Sequence, residues 1–145
     1  MRVPTDRPIH RSQVRVRYAE TDRMGIAYSA NYLVWMEVAR TDFLRGFGVR
    51  YRDLEQRGIL LPVSDVQVRL LRAASYDDDL AIDCWLQSAR SRQVVFGYVI
   101  SHLQDGRTTS AAAHGTTALM CVDAKMRPCR LPEDVLVRFG ELCGS

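Results

Sequence analysis

No apolar run approaches the roughly 20 residues that a membrane-spanning helix needs. The longest, 94–100 and 111–122, are broken by Gly97 or by His114 and Thr116. The first eleven residues hold Arg2, Arg7, Arg11 and two prolines without an apolar centre, so no secretory leader is read there and a cytoplasmic location is expected. Twenty Lys and Arg against seventeen Asp and Glu leave a net charge of +3, spread singly, with no basic tract to track nucleic acid. The four cysteines, Cys84, Cys121, Cys129 and Cys143, include no C-x-x-C pair and are read as reduced thiols. The three histidines have no metal-site spacing, and no G-x-S-x-G nucleophile motif occurs, so no metal ligand is assigned. Asp77-Asp78-Asp79 lacks further oxygen ligands at loop spacing and reads as a solvated turn.

The composition, 47% hydrophobic and 26% charged over 145 residues, is that of one globular core. A short strand is expected over 14–19, with Val14, Val16 and Tyr18 on one face. A polar segment follows, and Ser29 or Asn31 then offers a cap for a helix. Tyr32, Met36, Ala39, Phe43 and Phe47, joined by Leu33 and Leu44, recur at helical spacing, with Glu37, Arg40 and Arg45 off that stripe. The helix ends near Gly46 and Gly48, a span of roughly 25 Å at 1.5 Å per residue.

After a short helical turn or two within 50–58, the rest alternates as strands. Val66, Val68 and Leu70 share one face; so do Leu80, Ile82, Cys84 and Leu86, and then Val94, Phe96, Tyr98 and Ile100. Asp105-Gly106 marks a hairpin into a small-residue strand over 108–122, and Pro132-Glu133-Asp134 opens a last short helix. Short connections make the neighbours antiparallel. An α+β domain follows, in which a twisted antiparallel sheet curls around one long helix. The divisions expected are an arm over 1–13, the domain over 14–140 and a tail over 141–145.

Chemistry concentrates between the first strand and the helix, where Asp22 precedes a helix N-terminus with its unpaired N–H groups and partial positive charge. A developing oxyanion is stabilised at such an end, while a carboxylate beside it can deprotonate water or attack a carbonyl. On these residues alone the simpler reading of Asp22 is a capped turn.

Arg17-Tyr18-Ala19-Glu20-Thr21-Asp22-Arg23-Met24-Gly25-Ile26-Ala27-Tyr28, with Asn31-Tyr32, Trp35 and Glu37, resembles the signature of the hot-dog acyl-CoA thioesterases of the 4-hydroxybenzoyl-CoA thioesterase class. The Tol-Pal-associated acyl-CoA thioesterases are the branch it looks most like. Residues 70–79, with Ser75-Tyr76-Asp77-Asp78, and the ending over 123–132 extend the resemblance. It implies a hot-dog fold and hydrolysis of an acyl-CoA thioester without metal or cofactor, coenzyme A being part of the substrate. It places the catalytic carboxylate on Asp22, as nucleophile or general base, and the oxyanion-binding N–H at or near Ser29. Gly25, Tyr28 and Asn31 fall on substrate-binding positions of the motif, and Arg90 and Arg92 align with residues that contact the nucleotide. It also implies a homodimer or homotetramer with sites at the subunit boundary.

Read without that resemblance, Arg90 and Arg92 are solubilising charge in a turn. Glu37 reads as a surface partner of Arg40, and Tyr32 and Trp35 as core. Two alternatives share the fold: hydrolysis of a thioester on an acyl carrier protein, and a non-catalytic binding protein. The His-based motif of hot-dog dehydratases is missing from the loop before the helix.

Overall fold

The computed structural model describes residues 1–144, so Ser145 of the expected tail lies outside the described residues. Strand β1 (His10–Arg15) leads through a 3-10 turn (Tyr18–Glu20) to the 17-residue helix α1 (Ala30–Gly46) and the short α2 (Tyr51–Gln56). Then follow β2 (Val63–Leu70), β3 (Asp79–Arg90), β4 (Gln93–Gln104), β5 (Arg107–Met120) and the closing helix α3 (Glu133–Leu142). The strands form one antiparallel sheet in the order β1-β3-β4-β5-β2.

The order follows from the connections. Asp105 and Gly106, both at positive φ, form the tight turn that folds β5 back on β4. Position 115 of β5 must be glycine, because a Cβ there would collide with the Gln67 carbonyl oxygen of β2. The small-residue strand is therefore the one against which β2 packs closely.

One face of the sheet carries the core. Across it Ile82 lies opposite Ile100, Leu86 opposite Phe96, and Val94 opposite Leu119. Helix α1 lays Tyr32, Trp35, Met36, Ala39, Phe43 and Leu44 onto this face, with Phe43 edge-on to Phe96 at 6.0 Å between centroids. Truncating a side chain so placed, such as Phe43 to Ala, costs about 3–5 kcal/mol. Helix α3 packs Val135, Phe139 and Leu142 beside β3.

Several sequence expectations shift. The first strand begins at His10, inside the segment expected as an arm, and ends at Arg15, so the 3-10 turn directs Tyr18 outward at 79% exposure. Leu33, expected on the buried stripe, is 41% exposed, while Arg40, expected off it, is 7% exposed and donates from Nη1 to the Tyr98 hydroxyl at 3.2 Å. Both side chains of the turn 77–79 that flank Asp78 pair with Arg15. Strand β2 is an edge strand, and of Val66, Val68 and Leu70, which share a face as expected, only Val68 is partly covered.

Candidate active site

The segment between β1 and α1 folds as a tight hairpin. Thr21 bridges to Ala27, the Asp22 N–H donates to the Ile26 carbonyl at 2.9 Å, and the Gly25 N–H donates to the Asp22 carbonyl at 3.0 Å. Gly25 supplies φ +77, a region that disfavours side chains, although a Cβ there would meet nothing. Within this turn the half-buried Asp22 accepts the Met24 N–H on Oδ1 at 2.8 Å. Its Oδ2 accepts no hydrogen bond among the described residues. Through Oδ1, Asp22 thus caps the turn, as the simpler reading expects.

The hairpin is fastened on two sides. Ala27 donates to the Ala74 carbonyl at 2.7 Å, and Ile26 bridges to Ser75, which ties the loop to the segment entering β3. On the helix side the Tyr28 N–H and the Asn31 side-chain amide both donate to the Glu20 carbonyl, at 2.8 and 2.7 Å. The Glu20 carboxylate, 5% exposed, accepts the Trp35 indole N–H at 2.9 Å and the Arg17 N–H at 2.9 Å.

Helix α1 begins without a side-chain cap. Ser29 already has helical backbone angles, φ −53 and ψ −34, and Asn31 lies inside the helix with its amide committed to Glu20, so neither caps it. Among the described residues the N–H groups of Ser29 and Ala30 have no backbone acceptor. They are the unpaired donors of a helix N-terminus and attract negative charge.

The sequence-predicted residues divide into two groups. Asp22, Gly25, Tyr28, Ser29 and Asn31 belong to one hairpin-and-helix unit, with Tyr28 56% exposed. Arg90 and Arg92 do not join it. Arg90 ends the 12-residue β3, whose first residue lies at the Asp22 end of the sheet, so roughly 35 Å of strand separates them at about 3.3 Å per residue. Both arginines are exposed, without an ion pair among the described residues.

Glu37 and Arg40 form no ion pair within 4 Å; both line a cavity of about 360 Å³ with Tyr51, Leu61 and Met126. Among the described residues no three His, Cys, Asp or Glu side chains gather as a metal site would need. Sequence reasoning missed Glu20 and the partner role of Trp35. A charged residue within a turn gives no sign of burial, and only the pairing of that turn with the helix shows it.

Residues 16–139 match the thioesterase-like superfamily profile. YneP of Bacillus subtilis is 36% identical over 115 residues, 79% of this chain and 80% of that protein. The acyl-CoA thioesterase YbgC of Haemophilus influenzae is 30% identical over 131 residues, 89% of this chain and 93% of that protein. Among solved structures, a DHNA-CoA thioesterase from Staphylococcus aureus superposes with a TM-score of 0.84 at 31% identity, covering 92% of this chain and 89% of that one.

Proposed function

The chain belongs to the thioesterase-like superfamily, with the hot-dog architecture of a curled antiparallel sheet around α1, and on that premise we propose how it hydrolyses acyl-CoA thioesters. The observation that carries the reading is that one hairpin-and-helix unit holds both a carboxylate with one oxygen unbonded, on Asp22, and the unpaired N–H groups of Ser29 and Ala30 at the head of α1.

The thioester carbonyl oxygen rests against the helix end, where backbone N–H groups and the helix dipole stabilise the charge it acquires. Asp22 then either removes a proton from the attacking water or attacks the carbonyl carbon itself, giving an anhydride that water cleaves. Both routes consume one water, break the C–S bond and release a carboxylic acid and the coenzyme A thiol. Ser29 contributes its backbone N–H, not its hydroxyl. Asn31 acts by holding the loop, its side-chain amide being occupied by the Glu20 carbonyl.

We further propose that the working unit is a homodimer, or a homotetramer built from it. Strand β2 has a free edge, and Val66 and Leu70, though directed to the core face, are 39% and 51% exposed because α1 lies over β1 and β3 instead. A second copy would cover that face and edge. Arg90 and Arg92 can reach a coenzyme A held at Asp22 only from such a neighbour, given the length of β3.

The test is hydrolysis of butyryl-, palmitoyl- and benzoyl-coenzyme A, and of the same acyl groups on an acyl carrier protein, by the wild type and by Asp22→Asn. Turnover of the coenzyme A esters that disappears in Asp22→Asn is expected. Equal activity in the variant would remove Asp22 from the reaction.

A further inference from the structure

A base and an oxyanion site act together only if their spacing is held to a fraction of an ångström. Asp22 lies in a loop and the donors lie on a helix, so some group must fix one against the other. Three donors from the helix side converge on a single residue: the Tyr28 N–H and Asn31 Nδ2 on the Glu20 carbonyl, and Trp35 Nε1 on the Glu20 carboxylate. That residue stands two positions before Asp22 and is 5% exposed. Its second carboxylate oxygen accepts the Arg17 N–H at 2.9 Å and lies 3.3 Å from Arg17 Nε, so both oxygens are engaged.

A buried carboxylate is costly unless its oxygens are satisfied, and here the satisfying groups come from both sides of the loop. Trp35 lies in the second turn of α1, stacked edge-on against Tyr32 at 5.0 Å between centroids, so its indole cannot follow a moving loop. The Glu20–Trp35 bond therefore transmits the rigid position of α1 to the backbone that carries Asp22.

We infer that Glu20 is a positioning residue for the hydrolysis, setting the distance from Asp22 to the Ser29 and Ala30 N–H groups through Trp35 and Asn31. This rests on the reading of Asp22 as the catalytic carboxylate. Glu20 touches no substrate and is not itself a catalytic residue.

The experiment measures kcat and KM with butyryl-, palmitoyl- and benzoyl-coenzyme A for Glu20→Ala, Glu20→Gln, Trp35→Phe and the double variant Glu20→Ala/Trp35→Phe. Measurements are made at a temperature where circular dichroism shows each folded. Displacement of a reacting group by about 1 Å is worth about 10²-fold, so Glu20→Ala should lose about that factor in kcat with KM within about threefold. Glu20→Gln keeps an oxygen for the indole and should recover part of the loss. The double variant should be no slower than Glu20→Ala, since both changes break one link.

A purely structural Glu20 would lower the melting temperature and leave kcat of the folded protein within about threefold of wild type, and that result overturns the inference. If Glu20→Ala does not fold, Glu20→Gln and Trp35→Phe carry the same comparison. An active Asp22→Asn removes the catalytic reading and this inference with it. An inactive Asp22→Asn alongside unchanged kcat in the Glu20 and Trp35 variants overturns this inference alone.

Discussion

The Trp35 indole N–H donates to the Glu20 carboxylate at 2.9 Å, linking the second turn of α1 to the turn that precedes Asp22. The loop is therefore not a free excursion from the sheet. It is held on one side by the helix and on the other by the segment entering β3, through the Ala27–Ala74 bond.

Asp22→Asn keeps an amide oxygen for the Met24 N–H, so the hairpin should survive while the free carboxylate oxygen is lost. On the role proposed for Asp22 as a general base, its loss lowers the rate by about 10²–10⁴-fold. Steady-state release of coenzyme A should show that fall, with the melting temperature close to wild type.

Gly25→Ala places a side chain at φ +77, where the backbone alone costs about 1–2 kcal/mol. No atom obstructs the new methyl, so the loss arises from conformation and should appear as a lower melting temperature together with a lower kcat. A variant as stable and as fast as wild type would contradict the strained turn.

Gly115→Ala is different in kind, because the methyl meets the backbone of β2 at the Gln67 carbonyl, which cannot swing aside. Overpacking of this sort costs about 1–3 kcal/mol. Hydrogen exchange should report the damage locally, with β2 amides losing protection ahead of β3 and β4.

Leu70→Lys puts a charge on the uncovered core-side face of β2, at a position 51% exposed in the single chain. The fold should tolerate it, but a dimer formed over that face should not. Light scattering after gel filtration is expected to show a monomer with little hydrolytic activity, and a fully active dimer would place the interface elsewhere.

Alkaline pH should loosen the fold. Burial, followed by the neighbouring Cys129, pushes the Cys121 thiol up from its ordinary 9.0 to about 12, and burial also raises Cys84, Tyr98 and Tyr51. Between pH 9 and about 12 the folded Cys121 holds a proton that the unfolded chain has released. Its contribution is whole below pH 9 and is lost as pH rises through that window. Urea midpoints should be flat from pH 7 to 8.5 and fall progressively above 9.

Residue order alone revealed much of this molecule. The stripe from Tyr32 to Phe47 gave the long helix, the alternation from Leu80 to Ile100 gave the central strands, and Asp105-Gly106 gave the hairpin between β4 and β5. Those signals are local: a helix face or a pleat repeats within a few residues, and a left-handed turn names its own residue types. The turn at Asp22 ahead of the helix was legible for the same reason, and the family resemblance drew attention to it, whereas its closure into a hairpin by the Thr21–Ala27 bridge was seen only in the structure.

Long-range partners decided the rest. That Arg40 is buried beside Tyr98 depends on a strand 58 residues away in sequence. That Glu20 is an interior carboxylate depends on Trp35, 15 residues on, and on the path the backbone takes between them. Likewise, Arg90 stands far from Asp22 only because β3 runs its full length between them. Periodicity fixes which face of an element is apolar, but burial and distance are properties of the packed whole, set when the sheet closes over α1 and leaves β2 uncovered.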